Sequence, residues 1–248
     1  MRGEAVPAKP GRPASLSAGP STTLWANGTE LRATRNGDLH VDDDRIEVME
    51  TINFAGNLDY KMGSIEGAGA VRGEGDVLPG FHIRAGGDVT IEGVVDSAEV
   101  RTEGALLVRQ GVLPGSRVYA KGEIKVAFVS NATMESGADI TVLKEAVHSR
   151  LLAAGIITIP GTGRVLGGNL QAGKRIEVGV AGHMKGFPTT LVAGSSTQDD
   201  ECAIKANKII YSGVRLVIGP GELDFKEEHH RATFQYDVEA GAISNCAA

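Results

Sequence analysis

Two histidines are the side chains of this 248-residue chain best placed for acid–base chemistry. His82 directly precedes an apolar residue of a repeated phrase, and His148 lies at a bend, so we expect both imidazoles to face outward. Acyltransferases built on left-handed β-helices use a histidine in a groove between subunits of a trimer. Neither histidine has an orienting carboxylate that the sequence can place beside it. We therefore expect both to be solvated surface histidines.

Two acidic or histidine-rich segments invite a metal-binding interpretation. His229 and His230 follow Glu227 and Glu228, but adjacent side chains point apart in an extended chain, whereas a metal site needs its ligands on one side. The run Asp42–Asp43–Asp44 lacks the spacing of an EF-hand, so we expect a solvated turn. We predict no metal site, no cofactor site and no catalytic residue.

Glycine phrases and cysteines offer little further chemistry. The phrases RAGGD (84–88) and VLGGN (165–169) lack the Lys-Ser/Thr pair of a phosphate-binding loop and open no helix, so we interpret them as bends. Cys202 has no basic or histidine neighbour in sequence that would favour a thiolate. Together with Cys246 it makes two distant cysteines, which indicates a reducing compartment.

A repeated phrase organises the middle of the chain. An apolar anchor is followed six and eight positions later by two more apolar residues, with a glycine-rich bend between them. The anchors are Ile83, Val100, Val118, Met134, Leu151 and Leu170. The followers are Val89/Ile91, Leu106/Val108, Ile124/Val126, Ile140/Val142, Ile157/Ile159 and Ile176/Val178. Repeats of this kind are typical of a solenoid.

The followers alternate with polar residues, as in VTI (89–91) and IKV (124–126), which is typical of a half-buried strand. A helix is excluded because glycine interrupts every few residues. Short strands in turns of 17–18 residues predict an all-β, single-stranded parallel β-helix that rises about 4.8 Å per coil. Hydrogen bonds then run between coils, so the two end coils present open edges.

The residues that flank the anchors show whether the chain has the acid and base on one face that a carbohydrate-cleaving enzyme needs. Before the anchors stand His82, Glu99, Arg117, Thr133, Arg150 and Asn169, and after them Arg84, Arg101, Tyr119, Glu135, Leu152 and Gln171. These columns mix charge types without repeating a pair. We interpret them as a solvated face.

Composition agrees with this architecture. The 34 glycines suit repeated tight turns, and an aromatic content of 4% suits a narrow core of Val, Ile and Leu. The net charge of −6 does not indicate a nucleic-acid or anionic-membrane partner. There is no signal-peptide-like start and no 18-residue apolar run, so we predict a cytoplasmic protein without direct membrane insertion.

The sequence predicts three segments. Residues 1–30, rich in proline, form an extended lead-in. Residues 31–221 form the β-helix, whose first anchors are Ile46 and Ile65, with Gly73 in an apolar follower position. Within it, 195–203 is an exposed loop, after which Ile204 restores the six-residue step to Ile210.

Residues 222–248 form the third segment, a hairpin cap with a loose tail. The hairpin joins GELDFKEE (221–228) to RATFQYDVE (231–239) through a turn near His229 and His230. We expect it to cover the edge of the last coil.

Several ordered stretches resemble the flagellar assembly protein A family. They are AKPGRP (8–13), GNLDYKMGSIEG (56–67), VLPGFHIRAGGDVTIEGVV (77–95), VYAKGEIKVAFVSNATMESGADITV (118–142), VLGGNLQAGKRIEV (165–178) and IYSGVRLVIG (210–219). That family is similar in architecture to bactofilins and to the C-terminal domain of MinC. The resemblance implies a right-handed β-helix, whereas the six-residue spacing alone also suits a left-handed one.

The chain differs from the family pattern at two places. Family members usually carry a domain before the proline–glycine segment and a coiled-coil insertion where this chain has 195–203. We therefore expect a minimal homologue or a fragment.

The resemblance implies a non-enzymatic scaffold for protein partners, linked to flagellar assembly or to cell-surface or polar organisation in bacteria. Homo-oligomers through coil ends are a further expectation. The alternative is a β-helix enzyme, either a hexapeptide-type acyltransferase or a carbohydrate-active protein. It predicts a histidine beside a carboxylate in a groove.

Overall fold

The computed structural model describes residues 17–35, 37–42, 45–49, 51–194, 202–237 and 240–246. The chain divides into two compact units, Met1–Thr51 and Ile52–Ala248.

The N-terminal unit contains short strands and one 3₁₀ turn. Its elements are β1 (Ser17–Ala18), β2 (Thr22–Trp25), the 3₁₀ helix Ala26–Gly28, β3 (Glu30–Ala33), β4 (Asp38–Asp42) and β5 (Arg45–Met49). β2 pairs with β3 and β4 pairs with β5, both antiparallel, while β1 is parallel to β5. Part of the segment predicted as a lead-in thus forms strands, and residues 1–16 lie outside the described part of the chain.

The second unit is a stack of parallel coils. Its first strands are β6 (Ile52–Phe54), β7 (Ile65–Gly67), β8 (Val71–Gly73), β9 (His82–Ala85), β10 (Val89–Ile91), β11 (Glu99–Thr102), β12 (Leu106–Val112), β13 (Arg117–Ala120), β14 (Ile124–Ser130) and β15 (Thr133–Ser136). The chain continues with β16 (Ile140–Ala153), β17 (Ile157–Ala172), β18 (Arg175–Ala181), β19 (Thr189–Ala193), β20 (Ala203–Ile210), β21 (Val214–Ile218), β22 (Gly221–Asp224), β23 (His229–Asp237) and β24 (Ala242–Asn245). The predicted all-β parallel solenoid is confirmed, with about eight turns.

Three faces surround a continuous core. The first face carries the anchors, which pair in register from Ile65 through Ile83, Val100, Val118, Met134, Leu151, Leu170 and Leu191 to Leu216. The second carries the follower pairs from Ile52/Phe54 to Ile204/Ala206. The third carries one buried residue per coil: Leu58, Val77, Val95, Val112, Val129, Ala146, Val165, Ala181 and Ile210.

Buried hydroxyls and carboxylates at the bends help to join neighbouring coils. Ser136 donates its hydroxyl to the Gly122 carbonyl at 2.8 Å and accepts the Ala138 amide at 3.0 Å. The Asp139 carboxylate accepts the Ile156 amide of the next coil at 2.7 Å. The bends therefore satisfy backbone groups that the strands leave unpaired.

The stack begins later than the sequence-based boundary. Ile46 belongs to β5 in the N-terminal unit, so it is not an anchor, whereas Ile52 and Phe54 are the first followers and pair with Val71 and Gly73. The ring of Phe54 fills the space that a side chain at Gly73 would occupy. A glycine therefore stands in an apolar column because the neighbouring coil supplies the volume.

The six-residue step from Ile204 to Ile210 does not run from an anchor to a follower. Ile204 pairs with the follower Ile176, and the anchor of that coil is Leu191, which pairs with Leu170. The longer spacing arises because extra residues stand between anchor and follower. Most of them, 195–201, lie outside the described residues.

The C-terminal segment covers the last coil, but by a different pairing from the predicted one. β22 pairs antiparallel with β21, and β23 pairs antiparallel with β20 and then with β24. The predicted hairpin between 221–228 and 231–239 does not form, because each of its two halves instead pairs with a strand of the last coil. Phe225 and Phe234 pack edge to face beneath this cap, with ring centroids 5.2 Å apart.

Candidate functional site

The outer surface of the first face holds the polar residues that flank the anchors. Register places Glu99 between His82 and Arg117 on neighbouring coils, and Arg101 between Arg84 and Tyr119. Each strand turns its anchor inward, so both flanking side chains point to solvent. The two columns thus form one flat ladder of charged and aromatic groups.

His82 lies beside a carboxylate, which the sequence could not place. Its Nε2 is 3.0 Å from Oε1 of Glu66, and the Arg84 guanidinium donates to the same oxygen at 3.1 Å. Arg84 also approaches Glu99 at 3.8 Å. The hydrogen bond from His82 and the charge of Arg84 lower the pKa of Glu66.

The contact between His82 and Glu66 meets one of the two conditions expected of an enzyme, namely a histidine beside a carboxylate; the other condition is a groove. A histidine does contact a carboxylate, but Glu66 is 60% exposed and its oxygen is shared with Arg84. The lowered pKa keeps Glu66 ionised, as an orienting carboxylate beside a catalytic histidine would also be.

Next to this network, Arg101 stacks over the ring of Tyr119, with its guanidinium carbon 4.5 Å from the ring centroid. Arg117 and Glu135 border the same shallow recess, whose volume is about 260 Å³. Among the described residues, neither Arg101 nor Arg117 forms an ion pair within 4.0 Å. Two cationic heads and an aromatic ring thus share this surface with the carboxylates of Glu99 and Glu135.

His148 occupies a left-handed corner between the third and first faces, with φ of 44°. Equivalent corners are formed by Gly80, Ser97, Gly115, Asn131, Gly167 and Gly213, all with positive φ. The His148 ring packs edge-on against Phe187, whose ring also lies 5.3 Å from that of His183. His148 is exposed and, among the described side chains, packs against an aromatic ring and makes no ion pair with a carboxylate.

Among the described residues, the remaining candidate metal ligands do not come together at one point. His229 packs edge-on against Phe225, and His230 is its neighbour on an antiparallel strand. Within the described ranges, no group of three or more His, Cys, Asp or Glu side chains is placed to hold a metal ion. Of the acidic run 42–44, residues 43 and 44 lie outside those ranges.

The bend glycines and the two cysteines that the sequence singled out can be placed in the fold. A Cβ at Gly86 or Gly137 would overlap a backbone carbonyl of the preceding coil, so these glycines permit close stacking. Cys202 is half-buried and Cys246 exposed, and both are reduced.

The flagellar assembly protein A β-solenoid domain matches residues 50–201 of the chain, which is more than half of its length. The chain belongs to the flagellar assembly protein A family. No curated protein and no solved structure matches it significantly. No helix in the described part of the chain is long and apolar enough to cross a membrane.

In this family member, the third face is the feature that the sequence pattern missed. Its buried residue follows the second face by four positions at Val95 but by six at Val165, so no fixed spacing reveals it. The contact between His82 and Glu66 was missed for a different reason: Glu66 follows the anchor Ile65, one coil before the first coil whose flanking residues were compared. In the second face the step from coil to coil ranges from 16 to 19 residues up to Ile176.

Proposed function

We propose that the chain is a non-enzymatic scaffold of flagellar assembly that binds an acidic protein partner through its first face. The observation that carries this proposal is the cluster of Arg101, Tyr119 and Arg117 on a flat, exposed ladder. Arginine and tyrosine are the side chains that most often dominate binding at protein interfaces. Family membership supports the flagellar connection.

The continuous core supports a scaffold in physical terms. The three columns of buried aliphatic side chains fill the interior of the coils, so the functional groups lie on the outside. A surface of this kind presents side chains at a regular spacing of about 4.8 Å along the stack. An extended or flat partner surface can therefore contact several coils at once.

The enzyme alternative rests on the contact between His82 and Glu66. Arg84 competes for the same carboxylate oxygen, and the Glu66 side chain is 60% exposed, whereas catalytic pairs commonly lie in a cleft. The shared oxygen and the exposure support the scaffold proposal. In the proposed role, the side chains of His82, Glu66 and Arg84 hold one another in place and form one end of the interaction face.

Cytoplasmic location and partners in the flagellar or polar machinery belong to the same proposal. Association through coil ends is disfavoured at the C-terminal end, because β22 and β23 already pair with the last coil. Partner binding through a lateral face does not require an open edge.

Motility of a deletion strain tests this role in the organism that encodes the chain. We expect the wild-type gene to restore swimming, and the double variant Arg101→Glu/Arg117→Glu to fail at equal protein level. Lys125→Glu, which changes an exposed lysine on the second face, is the matched control and should restore swimming. A deletion strain that swims normally, or full rescue by the double variant, would contradict the proposal.

A further inference from the structure

From Leu113 to the last coil, most side chains on the outer side of the third face are apolar, and Ser130 and Glu145 are among the polar exceptions. The half-buried apolar residues flank the buried column on both sides. They are Leu113, Phe128, Val147, Leu166, Val180, Ile209 and Tyr211, called here the apolar stripe. Contiguous apolar surface of this kind marks an interaction site in a soluble protein.

One ion pair interrupts the apolar stripe near its middle. Glu145 and Arg164 are register partners on neighbouring coils, and their side chains lie 2.9 Å apart. Beside them a recess of about 670 Å³ opens between the ring of Phe128, the 45% exposed Leu143 and the backbone at Gly163. The exposed Lys144 also lines this recess, so the centre of the stripe combines the Glu145–Arg164 ion pair, a lysine at its border and an uneven apolar surface.

We propose that the apolar stripe binds a second copy of this chain, with the two solenoids antiparallel. The twofold axis runs parallel to the strands and passes between the coil of Glu145 and the coil of Arg164. Rotation about this axis places Glu145 opposite Arg164 of the second copy, and Val147 opposite Leu166 of the second copy.

The complementarity continues one and two coils away from the axis. Phe128 faces Val180 of the second copy, and Leu113 faces Tyr211 of the second copy. Ile209 faces Gly111 of the second copy, where the ring of Phe128 fills the space beside the glycine and offers an apolar contact. Apolar groups therefore oppose apolar groups along most of the stripe, Ser130 meets Gly182 of the second copy, and Glu145 and Arg164 each meet the opposite charge.

Other arrangements of the same two faces are less favourable. An axis through either central coil sets Glu145 or Arg164 against its own copy, so like charges meet. An axis along the solenoid sets Glu145 against Val147 of the second copy, which desolvates a charge against an apolar side chain. Charge pattern alone thus selects the antiparallel arrangement with the axis between the two coils.

The interface is small. Six coils overlap, which corresponds to about 29 Å along the stack. With a width of about 15 Å, the total buried surface is about 900 Å², well below the roughly 1,200–2,000 Å² of a standard stable interface. We therefore expect a weak dimer with a dissociation constant on the order of tens of micromolar.

Sedimentation equilibrium on the full chain and two charge variants tests this arrangement. Glu145→Arg and Arg164→Glu each place like charges across the axis, so each variant alone should associate at least about 10-fold more weakly than the wild type. Mixing the two variants restores both opposite pairs, because each copy then supplies the charge that the other needs. The mixture should therefore dimerise as the wild type does.

Rescue on mixing cannot come from improved folding, and exposed ion pairs contribute little to stability. Thr141→Arg and Thr158→Glu provide the matched control, because they are register partners on the second face of the same two coils. Both should dimerise normally, alone or mixed. A monomeric wild type at about 100 μM, or a mixture that stays monomeric, would overturn the proposal. The inference concerns the third face and does not depend on a flagellar role.

Discussion

Gly137 illustrates how a single residue sets the distance between coils. Its φ is not in the left-handed region, yet a Cβ there would overlap the carbonyl oxygen and carbon of Lys121 on the preceding coil. Glycine is thus required by the close approach of two backbones and not by its own backbone conformation.

Gly137→Ala should therefore lower the free energy of unfolding by about 1–3 kcal/mol, since the backbone must shift to admit a methyl group. Urea denaturation followed by circular dichroism measures this change. Lys121→Ala keeps the same carbonyl and should change stability by less than about 0.5 kcal/mol. Equal stability of Gly137→Ala and wild type would show that the coils are not as closely stacked as described.

Glu66 shows how neighbouring charges tune one surface carboxylate. The His82 hydrogen bond and the Arg84 charge hold its pKa below the usual 4.5, so the stabilisation is present above that value and is lost as pH falls through the lowered pKa. Arg84→Gln should raise the pKa of Glu66 toward 4.5, as measured by NMR titration of the side-chain carboxyl. Arg109→Gln, which removes a cation beside Glu92 instead, should leave that titration unchanged. Equal shifts of the pKa of Glu66 in Arg84→Gln and Arg109→Gln would contradict a specific effect of Arg84.

At the scale of elements, the antiparallel cap is what ends the stack. β23 forms the backbone hydrogen bonds with β20 that a further coil would otherwise form. The side chain of Phe234, which lies on β23, is only 4% exposed. The cap therefore protects an edge that could pair with another chain.

Phe234→Ala should destabilise the cap by about 3 kcal/mol, because a buried aromatic side chain is lost. Hydrogen exchange should then accelerate first in β20 and β23, whereas β9 to β15 should keep their protection, since repeats depend mainly on their neighbours. His230→Ala, at an exposed position of the same strand, is the control and should leave exchange unchanged. Uniform acceleration along all coils would mean that the cap is not an independent unit.

The same elements show what the sequence could predict. Alternation in VTI (89–91) and its equivalents identified the second face because inward and outward positions differ locally in polarity. The cap pairing was missed because it depends on which distant edge is unpaired, which local polarity does not encode. At Gly73, packing by Phe54 from another coil replaced the expected apolar residue.

At the scale of the whole second unit, each face has a distinct surface. The first face is charged with exposed arginines, and the third face is mostly apolar with one central ion pair. The sequence predicted a solvated first face but could not assign partners to it, because binding depends on how flanking residues of several coils combine.

Site-specific photocrosslinking in living cells tests the central claim most directly. A benzoylphenylalanine at Tyr119 probes the first face, and one at Thr141 probes the second. We expect the Tyr119 probe to capture a component of the flagellar or polar machinery, and the added change Arg117→Glu to abolish that product. The Thr141 probe should not capture it. Capture of the same protein from both positions, or of no such component from Tyr119, would contradict the account.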